Sequence, residues 1–129
     1  MIKKYVKLLP LMAIFSIPLA NAGVALKDDA EIAGKWKLYA EAAKLDGEKK
    51  SLIVEWEFKP GGVLQTTGTD PGGRTKEMVI DLKYSVENGD IKKQTSPGRE
   101  KYETCKVVEK DNSGMVLKCM YLYYFLTKL

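Results

Sequence analysis

Histidine is missing from this chain altogether. Its absence removes the usual general base, the Ser–His and Cys–His nucleophile pairs, and imidazole-ligated zinc or copper. Arginine is scarce, with only Arg74 and Arg99, and cysteine is limited to Cys105 and Cys119. The glycine-rich stretch at 71–73 lacks the spacing and the strand–helix setting of a phosphate-binding loop. Glu55 and Glu57 stand two apart, so on a strand they share one side and suit a solvated face better than a catalytic pair. These gaps predict a protein that is not an enzyme and needs no cofactor.

Apolar runs of ten or more residues are also lacking, apart from one at the start. Lys3, Lys4 and Lys7 precede an apolar run from Leu8 to Leu19, and Ala20-Asn21-Ala22 fits the small-x-small cleavage rule. The pattern predicts a secretory signal peptide over 1–22, too short to span a bilayer, with Gly23 opening the mature chain. Export to the periplasm or beyond is the expectation, with no membrane span after cleavage. Removing the three lysines takes the balance of 21 basic and 17 acidic residues from +4 to +1. The basic character therefore belongs to the leader, and nucleic acid is not expected as a partner.

The remainder, 23–129, is one small domain. Its pattern has a period of two. Trp36, Leu38, Ala40 and Ala42 fall on one side of a first run, opposite Lys35, Lys37, Tyr39 and Glu41. Val54, Trp56 and Phe58 alternate with Glu55, Glu57 and Lys59. Met78, Ile80, Leu82, Tyr84 and Val86 form the cleanest strand pattern. Asp46-Gly47, Gly61-Gly62, Asn88-Gly89, Pro97-Gly98 and Asn112-Ser113-Gly114 punctuate the runs with turn chemistry. No segment of helical length separates them, so the strands should be antiparallel. The one helical candidate is a short turn capped by Asp28 or Asp29 and ending before Gly34. The fold expected is all-β: a single small antiparallel up-and-down barrel of seven or eight strands, with a short amino-terminal helical turn.

An exported chain with an even number of cysteines is expected to pair them. Placing Cys105 opposite Cys119 across the "DNSG" turn sets Val107 against Leu117 and Glu103 against Tyr121. The carboxyl-terminal run then reads as one strand with Leu117, Cys119, Tyr121, Tyr123 and Phe125 on one face and Met120, Leu122, Tyr124 and Leu126 on the other. A strand apolar on both sides needs cover on both, for which the amino-terminal turn is a candidate.

A short helical turn, Gly34-Lys35-Trp36 at the head of the first strand, and a meander to a closing carboxyl-terminal strand together resemble the lipocalin-like (calycin) barrels. "WEFKPGGVLQTTG", residues 56–68, is similar to the aromatic strand, glycine turn and polar return strand of small bacterial members. The resemblance implies a basic side chain stacked on the first-strand Trp. Lys128 or Lys118 would have to supply it. It also implies that a barrel of this size holds its own side chains or one small ligand.

Two functional classes remain open at this stage. One is an exported carrier of a small apolar or amphipathic ligand, with Trp56, Phe58, Met78, Ile80, Leu82, Tyr121, Tyr123 and Phe125 lining the pocket. Gly34 and Trp36 would be structural. The other is a solid barrel that binds a protein partner. A soft Cu(I) site from Cys105, Cys119, Met78, Met115 and Met120 is a weaker third reading.

Overall fold

The computed structural model describes residues 23–69 and 76–129. The expected signal peptide, and the glycine-rich stretch at 71–73 together with Arg74, lie outside the described residues. Within them, eight strands close into an antiparallel up-and-down barrel, each strand paired with its neighbours in sequence and the last with the first. The strands are β1 (Gly34–Ala42), β2 (Lys50–Lys59), β3 (Val63–Gly68), β4 (Met78–Glu87), β5 (Asp90–Gln94), β6 (Tyr102–Lys110), β7 (Gly114–Lys118) and β8 (Tyr123–Lys128). No helix among the described residues is long and apolar enough to cross a membrane.

Tight turns close one end of the barrel. Asn88 and Gly89 both adopt positive φ, 54° and 85°, which is the hairpin geometry that Asn-Gly favours. In the β6–β7 turn, the Asp111 carboxylate accepts hydrogen bonds from the backbone N–H groups of Ser113 and Gly114. Those bonds, with one from the Ser113 hydroxyl, hold the Asp111 carboxyl below the usual range.

The same end carries the one helical turn among the described residues, a 3₁₀ turn over Asp29–Glu31, with the Asp28 carboxylate accepting from the Ala30 N–H. This turn does not cover the outer face of the last strand but caps the end of the barrel. Ile32 is fully buried beneath it, and the Trp36 indole N–H donates to the Ile32 carbonyl at 2.9 Å. Lys128 supplies the basic partner: its Nζ sits 4.8 Å from the Trp36 ring centre and donates to the Ala33 carbonyl. Gly34 has φ +111°, and a Cβ there would lie 2.7 Å from the Lys128 Nζ. Glycine at this position thus satisfies both the backbone and the packing of the lysine.

The lower half of the barrel is filled. Trp36, Phe58, Leu64, Ile91, Val107 and Leu117 are all essentially inaccessible and belong to one cluster. Cys105 and Cys119 are joined by a disulfide that runs from β6 to the residue just past β7. Val107 pairs with Leu117, as the register argument expected. Closing a loop of this size contributes about 3 kcal/mol in the chain-entropy model. The bridge also consumes both thiolates that a soft-metal site would have needed.

Two expectations about strand faces are corrected. The first concerns β1. Its pairing with both β2 and β8 shifts register between Leu38 and Ala40. Trp36 and Leu38 face the interior, but Ala40 pairs with Phe125 and Ala42 with Tyr123 on the outer wall. An inserted residue in an alternating strand reverses every side chain beyond it. The second concerns the carboxyl-terminal run, which is two strands and not one. The chain turns back after Cys119, where the Cys119 N–H meets the Leu122 carbonyl at 2.9 Å. Tyr124 and Leu126 therefore face inward with the main core, while Tyr123 and Phe125 pack outside with Ala40, Ala42 and Val116.

Candidate functional site

The strand directions place the connections 43–49, 95–101 and 119–122, with the end of β3 and the start of β4, at the end opposite the 3₁₀ turn. Inward-facing side chains near this open end are less completely buried than those below. Leu52, Val54, Ile80 and Tyr124 are partly accessible, yet all pack against the main core. Thr66 pairs with Trp56 on one side and Ile80 on the other, so it shares their inward face. Apolar and hydroxyl-bearing groups thus face the barrel interior toward the open end, the upper lumen.

A charged pair lies at its base. Lys93 on β5 is directly opposite Glu103 on β6, and both point inward by alternation with Ile91 and Cys105. Their charged atoms are 2.7 Å apart, with side chains only 8% and 13% exposed. The Lys93 Nζ also lies 5.6 Å from the Trp56 ring centre, where the ring's negative face attracts a cation. The other Glu103 oxygen accepts from the Met120 N–H. Trp56 and Tyr124 meet edge to face at 5.7 Å. Burial first, and then the carboxylates of Glu103 and Glu41, push the Tyr124 phenol above its usual range, so it remains a neutral donor.

The structure brings part of the expected pocket wall together. Trp56, Phe58, Ile80 and Leu82 face the lumen, with Phe58 and Leu82 set deep in the core. Met78 shares the inward register of Ile80 but stands at the rim, 60% exposed. Tyr121, Tyr123 and Phe125 do not wall the lumen. Tyr121 lies in the connection between β7 and β8, while Tyr123 and Phe125 sit on the outer face. Their expected placement followed from treating two strands as one.

Lys93, Glu103, Thr66 and Tyr124 were not among the expected pocket residues. Glu103 had a signal, because it alternates with Cys105 and Val107 and so must share their face. Lys93 had a weaker one, since "DIKKQ" contains a single apolar residue to fix its parity.

Two clefts on the outer wall are alternative sites. One, of about 540 Å³, is lined by Gly61, Gly62, Lys83, Tyr84, Lys92 and Tyr102. The other, of about 240 Å³, lies among Lys37, Ile53, Glu55, Thr67 and Glu77. Both are open to solvent and mixed in character, whereas small-molecule sites are mostly apolar and enclosing. Neither contains an expected pocket residue.

A closed eight-stranded meander, sealed at one end by a helical turn and a Trp–Lys stack, has a lipocalin-like fold. No family model matches the sequence, and no curated protein matches it. Solved structures do. A lipocalin-like protein from Bacteroides uniformis superposes with a TM-score of 0.61 at 19% identity, covering 77% of this chain and 99% of that one. An uncharacterized protein from Bacteroides eggerthii gives 0.58 at 18% identity, covering 75% and 98%. The likeness extends over nearly the full length of both neighbours.

Proposed function

We propose that this is an exported lipocalin-like protein that takes a small amphipathic or apolar molecule into the upper lumen and performs no chemistry on it. The observation that carries the proposal is the composition of that lumen. Partly accessible Leu52, Val54, Ile80 and Tyr124 stand above a buried Lys93–Glu103 pair seated on Trp56. An apolar wall around a few placed polar groups is the usual make-up of a small-molecule site. An amphipathic ligand would lie along the apolar wall with its polar end toward the Tyr124 hydroxyl and the ion pair.

The test is titration with the amphiphilic dye anilinonaphthalene sulfonate, followed by displacement with a medium-chain alkyl carboxylate. Saturable binding to the wild type is expected. A Trp56→Phe variant should keep the fold but bind several-fold more weakly, because it removes lumen wall without opening the sealed lower half. Dye uptake that is absent, or unchanged in Trp56→Phe, would refute the lumen as the site.

Export is the second part of the proposal. It is supported by the leader pattern at 1–22 and is consistent with the disulfide. Intact-mass measurement of the exported chain should find Gly23 as its first residue, and a chain that keeps Met1 would argue against it.

A further inference from the structure

The two ends of the barrel differ in surface chemistry. At the sealed end, the tips of the three hairpin turns, 60–62, 88–89 and 111–113, carry no large apolar side chain, and Leu129, just past β8, is exposed there. At the open end, large apolar groups face solvent: Leu45 in the β1–β2 connection, Met78 and Val79 at the start of β4, and Met120 and Tyr121 between β7 and β8. Met120 is 53% exposed and Tyr121 82%. Five such residues gathered at one end of a small barrel mark an interaction surface.

Charge is distributed in the same way. Lys44, Lys49, Lys50, Lys76, Lys101 and Lys118, with Arg99, stand at the open end. Glu41, Asp46, Glu48, Glu77 and Glu100 are the acids among the described residues of the same connections and adjoining outer strand ends, and they are fewer. None of the six lysines takes part in the four ion pairs among the described residues. Since residues 23–129 are almost neutral as a whole, the basic excess belongs to this end. The Lys49 and Lys118 ammonium nitrogens lie 4.4 and 5.9 Å from the Phe125 and Tyr123 ring centres, so these two lysines are held over outward-facing aromatic surface near the open end.

We infer that the open end of the barrel docks on an anionic lipid surface. Exposed Met, Leu and Tyr interleaved with lysines is the composition that partitions into the headgroup layer. The charge complementarity favours anionic lipid over a second copy of this chain, whose own basic rim would be repelled. Docking here would present the mouth of the barrel to the bilayer, where apolar ligands dissolve. The inference rests on the surface alone and does not require that the lumen bind anything.

Co-flotation with lipid vesicles tests it. Residues 23–129 are the material to use, because they hold all eight strands of the closed barrel and lack the apolar run at 8–19, which could itself enter a bilayer. The chain should bind vesicles of equimolar phosphatidylcholine and phosphatidylglycerol, should leave them at high salt, and should ignore pure phosphatidylcholine. Each lysine near an anionic surface is worth about fivefold in affinity, so Lys44→Gln with Lys101→Gln should cost roughly twentyfold. Tyr121→Ser with Met120→Ser should weaken binding while leaving the circular dichroism spectrum unchanged, since both side chains are exposed. Trp56→Phe should bind vesicles like the wild type, which separates this test from that of the lumen. Failure to bind phosphatidylglycerol vesicles, equal binding to both compositions, or insensitivity to both pairs of substitutions would overturn the inference. So would self-association without lipid that the same substitutions abolish, because the face would then be a contact between copies.

Discussion

Replacing Trp36 by alanine should lower the stability of the domain by about 3–5 kcal/mol, the usual cost of deleting a large buried aromatic. Trp36 is 1% exposed, and it links three parts of the sealed end. Its ring packs in the core, its indole N–H holds the Ile32 carbonyl, and its face carries the Lys128 ammonium. Removing it leaves a cavity, frees the 3₁₀ turn and strands the lysine. Total stabilities of small domains are about 5–15 kcal/mol, so much of the population could unfold. Chemical denaturation followed by circular dichroism gives the difference directly. Lys128→Met should cost far less, about 0.5–1 kcal/mol, because an exposed cation–π contact is weak. If Trp36→Ala melts with the wild type, the Gly34-Lys35-Trp36 segment is not the seal of this barrel.

The second large effect is expected at the charged pair. Lys93→Met should destabilise by about 3–5 kcal/mol, because it leaves the Glu103 carboxylate buried with only the Met120 N–H as a partner. The loss is that of an orphaned charge more than of a lost attraction. The double variant Lys93→Met, Glu103→Leu should therefore recover most of the stability, since an apolar pair of similar volume often matches or exceeds a buried ion pair. A double-mutant cycle by urea denaturation measures the coupling. Additive losses in the double variant would mean that the two side chains act separately and that the lumen has no charged base.

Much of this fold is legible in the sequence, because most of its strands alternate without interruption. "MVIDLKYSVE" is β4 from end to end. The turn at 61–62 and the aromatic strand before it fix the β2–β3 hairpin. The disulfide register follows from two cysteines placed symmetrically about "DNSG". The departures come from single residues that break alternation. The insertion near Tyr39 leaves no mark in composition, since alanines fit either face of a sheet. The turn after Cys119 lies inside "CMYLYYFL", an apolar run with no glycine, proline or asparagine to signal a reversal. Three of the eight expected pocket residues fall beyond that point and were displaced with it. The Lys93–Glu103 pair depends on the register of the β5–β6 hairpin, which the polar sequence of β5 does not announce.

The chain has only two tryptophans, and they are direct cross-strand partners on β1 and β2. The Trp36 indole N–H is fixed to the Ile32 carbonyl, while the Trp56 ring packs against Lys93 and Tyr124. A proton–nitrogen correlation spectrum therefore contains two indole signals, one from the ring tied to the segment after the 3₁₀ turn and one from the ring beside the ion pair. During titration with a medium-chain alkyl carboxylate, the Trp56 signal and the Lys93, Glu103 and Tyr124 amides should shift and saturate together, with a smaller shift at Trp36, its cross-strand neighbour. Shifts confined to the outer clefts, at Gly61, Gly62 and Lys92 or at Ile53 and Glu77, or no shifts at all, would contradict the lumen as the binding site.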